Sequence, residues 1–266
     1  MRRHPLISFF VLAYALSWWP TPLYAAQVSP FFPDFPFFGT GVLLAALIVI
    51  SITTGRAGLR ELGARMIRWR VNWRWYAAAL GIPLAVAVVA IALNVALGAP
   101  VPSLAKLPPL TTFLLVFAVR LINPLNGPLA EEPGWRGYAL PRLQGSSRSP
   151  LLASVILALL VVGWHLPLVV VAHQFPPIGL LGAFAVTFWF TWLLNHTGGS
   201  VFMTLVMHSA EGTFGPLAGF GSFAGADFAR WFSIYVVVAC VVAIGLVVFD
   251  WKAWRGTAAA RPRHRR

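Results

Sequence analysis

Charge is scarce in this sequence, and negative charge is scarcest. Only 10% of the 266 residues are charged and 59% are hydrophobic, whereas a soluble domain has about 25% charged and about 45–50% apolar residues. This composition excludes an ordinary soluble globule. Seven acidic residues stand against twenty Lys and Arg, a net charge of +13. In a membrane protein such an excess first reports topology, so we predict no nucleic-acid partner.

Cysteine is also rare, and the short motifs of many soluble enzymes are missing. Cys240 is the single cysteine, which excludes an internal disulfide, and we expect it to pack as a small hydrophobe within its apolar run. The sequence has no fixed-period repeat and no Gly-rich phosphate loop. It therefore predicts a single membrane-embedded domain over residues 1–266.

Long apolar segments dominate what remains, and a membrane helix needs about 20 residues. The eight segments are Pro5–Tyr24, Phe37–Ile52, Trp75–Leu97, Leu110–Asn126, Leu151–Val171, Ile178–Leu194, Ser200–Leu217 and Trp231–Phe249. They predict an all-α, polytopic membrane bundle of about eight transmembrane helices. An even number of spans places both termini on one side of the membrane.

The basic residues test this topology, because cytoplasmic loops carry an excess of Lys and Arg. With cytoplasmic termini, the outer side holds only Lys106 and Arg230, while sixteen basic residues lie on the inner side. The sequence thus predicts an integral protein of the bacterial plasma membrane with both termini in the cytoplasm. Residues 255–266 are predicted to be a basic, disordered cytoplasmic tail attracted to lipid headgroups.

The sequence of two segments is compatible with more than one structure. Residues 1–26 begin with two arginines before an apolar stretch and end in two alanines, so they fit either a first span or a cleaved secretory signal. The segment Gly55–Trp75 interleaves arginines with apolar residues. It fits either a helix lying on the anionic inner leaflet or a solvated inner loop.

Two adjacent acids follow the fourth apolar segment almost directly. An acid at the centre of a membrane helix costs about 2.5–3.5 kcal/mol on insertion scales, so Glu131 and Glu132 form a functional-site hypothesis. On an α-helix Glu132 and Arg136 are one turn apart and can neutralise each other. Glu131 is then left to face a cavity as a general base. Pro133 lacks an N–H and predicts irregular backbone here. The alternative is a purely structural clamp beside a solvated interfacial Glu131.

Two of the six histidines lie inside apolar segments. His165 is in the middle of the fifth segment, and His208 lies within the seventh. A lone membrane histidine is usually a hydrogen-bonded structural group. Two histidines on separate spans, with an acidic pair on a third, more readily converge on a water-filled pocket, where imidazole binds a metal or holds a water.

At these residues the sequence resembles the CAAX protease and bacteriocin-processing family, intramembrane endopeptidases related to the type II CAAX prenyl protease. Two glutamates followed by arginine are intact as Glu-Glu-Pro-Gly-Trp-Arg at 131–136. The family's phenylalanine four residues before a histidine is replaced by Val161 ahead of His165. Its asparagine four residues after a histidine is replaced by Gly212 after His208.

The resemblance covers residues 110–216, which we predict to contain the catalytic core motifs. It implies hydrolysis of a peptide bond in a membrane-anchored or lipidated peptide. By resemblance, Glu131 activates water, while His165 and His208 position that water or a metal ion and stabilise the oxyanion. Glu132 and Arg136 would then form the supporting clamp.

The glycine at position 212 puts full activity in question. A donor such as the missing asparagine amide can contribute about 2.7–4 kcal/mol to catalysis. Ser209, Glu211, Thr213 or an ordered water would have to compensate. Glu211 is also a candidate partner or unusual ligand near His208, or simply an acid facing a polar cavity.

The sequence leaves the choice between a metalloprotease and a glutamate-dependent peptidase open. Glu131, His165 and His208 supply one carboxylate and two imidazoles, the ligand set of many catalytic Zn²⁺ sites. They come, however, from three spans without the anchoring of a His-Glu-x-x-His motif. If all three bound Zn²⁺, Glu131 would no longer be available as an independent base.

Other function classes also fit parts of the pattern. A non-catalytic relative that acts as a membrane scaffold or bacteriocin-immunity factor is favoured by Val161 and Gly212. A proton-coupled carrier also uses membrane acids and histidines, but it predicts inverted internal symmetry, and the first half of the chain has no matching interrupted segment. A bis-histidine haem protein would leave the acidic pair unexplained.

Overall fold

The computed structural model describes residues 1–28, 36–103, 108–125, 127–145, 149–174, 176–216 and 223–256. Within these ranges the regular secondary structure is helical, and no strand occurs. The helices are α1 (Pro5–Trp18), α2 (Pro20–Ala25), α3 (Gly41–Thr53), α4 (Gly55–Met66), α5 (Trp73–Ala96), α6 (Leu110–Ile122), α7 (Pro128–Glu132), α8 (Leu140–Gly145), α9 (Pro150–Val170), α10 (Gly179–His196), α11 (Val201–Phe214), α12 (Gly225–Phe249) and α13 (Trp251–Arg255). A π-helical segment, Pro133–Ala139, joins α7 to α8.

The all-α prediction is confirmed for the described residues, and each of the eight predicted segments falls on a helix. Four stretches in this part of the chain are long and apolar enough to cross a membrane: Pro5–Ala25, Trp73–Ala96, Pro150–Val170 and Gly225–Phe249. Helices α3 and α6 are apolar but have 13 residues each, about 20 Å at 1.5 Å per residue. That is short of a hydrocarbon core of about 30 Å. The count of eight transmembrane helices is therefore not confirmed.

Capping residues fix where the two histidine-bearing helices begin. The Ser149 hydroxyl accepts a hydrogen bond from the Leu152 N–H, and Pro150 occupies the first turn of α9. The Ser200 hydroxyl accepts from the Met203 N–H at the start of α11. Such caps satisfy amide groups that have no partner inside the helix. They set the register of His165 on α9 and of His208 on α11.

Two clusters of buried apolar side chains form the core. The first joins α1, α3, the π-helical segment and α9, and includes Phe9, Trp135 and Trp164. The second joins α5, α10, α11 and α12, and includes Trp189 and Trp231. The π-helical segment of the first cluster contacts α10 and α11 of the second. The side chains of the candidate site meet at this contact.

The helix ends show that α5 runs antiparallel to α10 and α12. At one end, His196 Nε2 lies 2.9 Å from Asp250 Oδ2, just after α12, and the His196 ring is 5.1 Å from that of Trp75 on α5. At the other end, Arg230 Nε donates to Asn94 Oδ1 at 2.7 Å. These directions agree with the alternation that the predicted topology requires of the three helices.

The basic segment Gly55–Trp75 is partly built into the bundle. Arg65 of α4 donates hydrogen bonds to the carbonyl oxygens of Arg136 at 3.1 Å, Gly137 at 2.7 Å and Gly199 at 3.0 Å. Neither of the two predicted settings, a helix on the inner leaflet or a solvated loop, fits this arginine. Its guanidinium links α4 to the π-helical segment and to the turn before α11.

The C-terminal tail predicted for residues 255–266 begins at the last residue of α13. Its residues 257–266 lie outside the described residues, so their disorder stays a prediction.

Candidate active site

The backbone changes character where the acidic pair ends. Pro133 has no N–H to donate to the carbonyl oxygen four residues earlier, that of Leu129. The chain widens into a π-helix over Pro133–Ala139, a rare conformation that is frequent at functional sites. The irregular backbone predicted from Pro133 is therefore present.

Aromatic packing places this segment beside the His165 turn of α9. The Trp135 ring lies 5.6 Å from that of Trp164, nearly perpendicular to it. The Phe9 ring of α1 packs against Trp135 at the same distance, 5.6 Å. Since Trp164 directly precedes His165, these contacts hold that histidine close to the π-helical segment.

Glu132 is the centre of a buried polar network. Its side chain is fully buried, and Oε1 accepts hydrogen bonds from Arg136 Nη1 and His208 Nδ1, both at 2.9 Å. The bond to Arg136 is the ion pair that their spacing predicts. Glu132 Oε2 is also buried and has no hydrogen-bond partner among the described residues.

The Arg136 guanidinium is held on two further sides by α10. Only 2% of the residue is exposed. Nη2 donates to the Thr187 hydroxyl at 3.3 Å, and Cζ lies 4.7 Å from the centre of the Phe190 ring. A buried arginine needs such neutralising and cation–π contacts. Arg136 therefore joins the π-helical segment to α10.

His208 is oriented by two of the same groups. Its ring stacks on Phe190, with the ring centres 5.1 Å apart and the planes at 27°. Because Nδ1 donates to the Glu132 carboxylate, the lone pair of the neutral ring is on Nε2. The side chain is 15% exposed, so this histidine lies at the edge of the buried network.

His165 is oriented by backbone instead. Its Nδ1 lies 2.8 Å from the carbonyl oxygen of Val161. A carbonyl only accepts, so Nδ1 is the donor, and Nε2 again carries the lone pair of the neutral ring. The Val161 side chain plays no part in this contact, which any residue at that position could make.

The predicted site residues share one electrostatic neighbourhood. His165 interacts electrostatically with Glu131, Arg136 and His208. His208 interacts in turn with Glu131, Glu132 and Glu211. Glu131 is 8% exposed and forms no ion pair within the described part of the chain. The three elements α7, α9 and α11 thus bring their acidic and imidazole groups towards one place.

The donor set does not form a ready metal centre. No group of three or more His, Cys, Asp and Glu side chains in the described residues is arranged to hold a metal ion. Glu131, His165 and His208 are therefore not gathered closely enough to act together as ligands in this structure. Zn²⁺ binding by these residues stays a prediction.

Comparison with known protein families adds an independent finding. Residues 112–214 match the family model described as Type II CAAX prenyl endopeptidase Rce1-like. Over this segment the chain is similar to that family. The matched range holds all five candidate site residues, and the resemblance given by residues 110–216 is confirmed. No curated protein matches the chain.

Within the matched segment, Gly212 is the most informative departure from the family pattern. A Cβ atom built on Gly212 would overlap the guanidinium group of Arg120 from α6. Arg120 Nε is buried and has no hydrogen-bond partner among the described residues. The sequence placed Arg120 inside an apolar segment but gave it no role, because only packing of α6 on α11 brings the two residues together.

Glu211 has a partner that sequence reasoning missed. Its Oε1 accepts a hydrogen bond from the Tyr235 hydroxyl of α12 at 3.1 Å. Thr187 and Phe190 of α10 were also missed. A threonine and a phenylalanine in an apolar helix do not by themselves indicate a functional site. They are recognised as part of the site only because they contact the buried guanidinium of Arg136.

Proposed function

We propose that this protein is an intramembrane endopeptidase that hydrolyses a peptide bond of a membrane-anchored, lipidated peptide. The observation that carries the proposal is the buried network in which Glu132 binds Arg136 and orients His208, with Glu131 and His165 beside it. Similarity to an endopeptidase family over the same residues supports the reaction class.

Glu131 is the general base in this proposal. It removes a proton from a water molecule as the water oxygen adds to the carbonyl carbon of the substrate, and the electron pair of the C=O bond moves to the oxygen. Collapse of the tetrahedral intermediate breaks the C–N bond. The proton held by Glu131 then passes to the departing amine, so that the enzyme is regenerated. Glu131 suits this role because it is not committed to an ion pair with a described residue.

The two histidines position the reactants. Each ring has its Nδ1 hydrogen bonded, one to Glu132 and one to the Val161 carbonyl, and each therefore uses the lone pair on Nε2 to accept a hydrogen bond from the attacking water. A site of low dielectric constant strengthens such contacts to developing charge. If Zn²⁺ binds, it would be held by Glu131, His165 and His208 after they move together, and it would supply Lewis-acid polarisation of the water.

Glu132 and Arg136 act on the reaction indirectly. Their ion pair neutralises the charge next to Glu131 and fixes the ring plane of His208. We therefore assign them as positioning residues.

The proposed setting is a plasma membrane that the chain crosses about eight times, with both termini in the cytoplasm. Four helices of sufficient length and apolar composition and the concentration of basic residues in the predicted inner loops support it. A substrate with a lipid anchor would reach the site from within the bilayer. A prenyl group is the first choice because the family description names it.

Cleavage of a farnesylated peptide tests the proposal. The purified full-length protein, in detergent or nanodiscs, is incubated with an internally quenched peptide that ends in a farnesyl-cysteine tetrapeptide, and with the same peptide lacking the farnesyl group. We expect Glu131→Gln to lower turnover by about 10²–10⁴-fold, with large losses also for His165→Ala and His208→Ala. Glu61→Gln is the matched control, since Glu61 is exposed on α4.

The outcomes separate the reaction from the substrate. Cleavage that survives Glu131→Gln, or no cleavage of any member of a wider peptide library by the wild-type protein, would remove the endopeptidase assignment. Cleavage of the unmodified peptide alone would remove only the lipidated substrate. Metal content of the same samples tests Zn²⁺: near-stoichiometric zinc in the wild type that is lost in His165→Ala and His208→Ala would support it.

A non-catalytic scaffold or immunity factor is the second candidate function. It is favoured by Gly212, which lacks the side-chain donor of the family pattern. This candidate predicts peptide binding without turnover, and binding that survives Glu131→Gln.

A further inference from the structure

Gly212 of α11 leaves a space that another helix fills. The guanidinium atoms Nη2, Cζ and Nε of Arg120 all lie where a Cβ on residue 212 would stand. Arg120 comes from α6, which packs along α11. The absence of a side chain at position 212 is therefore what allows the arginine to reach this position.

The Arg120 guanidinium has a hydrogen-bond donor without a partner in the described part of the chain. Its Nε is buried without a hydrogen-bond partner among the described residues, and no ion pair joins it to any of them. Burying a cation without a partner is costly, and an unpaired ionisable group among membrane helices is a functional-site hypothesis by default. Arg136 also has an Nε without a partner among the described residues, but its charge is balanced by the ion pair with Glu132 and its Nη2 donates to Thr187.

The position also suits the reaction. Gly212 is four residues after His208 on α11, which is about one turn, or about 6 Å, along the same face of the helix. The neighbouring Glu211 accepts from Tyr235 rather than from Arg120. A guanidinium resting on Gly212 thus lies one turn from the imidazole that we propose to hold the attacking water.

We infer that Arg120 supplies the hydrogen-bond donor for the oxyanion of the tetrahedral intermediate, in the place where a side chain at position 212 would otherwise act. This inference rests on the proposed endopeptidase function. A guanidinium donates charge-assisted hydrogen bonds, which are roughly twice as strong as neutral ones. In this view the glycine at position 212 does not abolish activity, because it leaves the space that the Arg120 guanidinium needs to act as the replacement donor.

Four variants test the inference with the farnesylated quenched peptide as probe. Arg120→Met keeps the length of the side chain but removes its donors, and we expect kcat to fall by about 10²–10³-fold, the effect of losing one oxyanion donor, with KM little changed. Gly212→Ala should displace the guanidinium group of Arg120 and lower kcat while thermal stability stays close to wild type. Arg120→Met combined with Gly212→Asn should regain at least tenfold over Arg120→Met alone. Arg60→Met, an exposed arginine of α4, should behave as wild type.

Each other outcome overturns the inference. A rise in KM at constant kcat in Arg120→Met would make the arginine an anchor for the substrate, such as its terminal carboxylate. Unchanged kinetics would leave it without a role in the reaction. A fall in melting temperature that accounts for the lost activity, without rescue by Gly212→Asn, would make it structural. Full activity of Arg120→Met beside an inactive Glu131→Gln removes this inference alone, whereas a wild-type protein without peptidase activity removes the proposed function as well.

Discussion

At the scale of single residues, the adjacent glutamates differ sharply in their surroundings. Glu132 is fully buried and accepts from both Arg136 and His208 through one oxygen. Glu131, one residue earlier, is also buried but forms no ion pair with the described residues. Neutralising one or the other should therefore have different consequences.

Glu132→Gln should destabilise the fold, because it leaves the buried Arg136 without its counter-charge. Breaking a buried ion pair by removing one partner costs about 3–5 kcal/mol. Glu131→Gln is the matched control and should unfold near the wild-type temperature while losing activity. Thermal unfolding of the three purified proteins is the measurement. Equal melting temperatures for the two variants would contradict the structural role of Glu132.

The sequence could predict some of these residue contacts and not others. The Glu132–Arg136 pair follows from a spacing of four along one chain segment. The bond from His208 to Glu132 and the overlap of Arg120 with position 212 link separate helices, and their geometry depends on how those helices are packed. Spacing within a sequence does not carry that information.

At the scale of elements, the π-helical segment decides where Arg136 points. Pro133→Ala would restore an N–H that can donate to the Leu129 carbonyl and favour a regular α-helix, which would rotate Arg136 away from Thr187 and Phe190. We expect lower peptidase activity with little loss of thermal stability. Pro83→Ala, at another proline inside a helix, is the control and should keep activity. Wild-type activity in Pro133→Ala would show that the π-helical backbone is not required.

Arg65 of α4 supports the same π-helical segment through hydrogen bonds to its backbone. Its guanidinium donates to three carbonyl oxygens, including those of Arg136 and Gly137, and a lysine ammonium cannot match that planar arrangement. A hydrogen bond from a charged group contributes about 1.5–3 kcal/mol, so Arg65→Lys should lose about that much stability when one bond is lost. Chemical unfolding measures it, with Arg60→Lys on the exposed face of α4 as control. No difference between the two variants would mean that these bonds add nothing.

Element types were easier to predict than their lengths. Apolar composition identifies α3 and α6 as membrane-type helices, but it does not show that each has only 13 residues. The ends depend on local features such as Gly127, whose φ of 83° starts the turn into α7. Likewise, the arginines of Gly55–Trp75 are typical of a surface helix, and the sequence does not show that Arg65 is half-buried and donates to three carbonyl groups.

At the scale of the whole molecule, the site lies where two core clusters meet. Glu132 and Arg136 belong to the segment that packs with the first cluster, whereas Phe190 and His208 belong to helices of the second. The family match ends at residue 214, yet α1 and α12 pack against the matched segment through Phe9 and Tyr235. Residues outside the match therefore contribute to the shape of the site.

The topology of this molecule gives a direct prediction for α5, which is long and apolar enough to cross the membrane. Trp69 before the helix and Val101 after it are 56% and 78% exposed, and the excess of basic residues assigns the former to the cytoplasm. In a Cys240→Ala background, an impermeant maleimide should label Val101→Cys in intact cells and Trp69→Cys only after permeabilisation. The reverse pattern would invert the membrane orientation. Labelling of both positions from one side would mean that α5 does not span the bilayer. The antiparallel packing of α5 against α10 and α12 would then not reflect opposite crossings of the membrane.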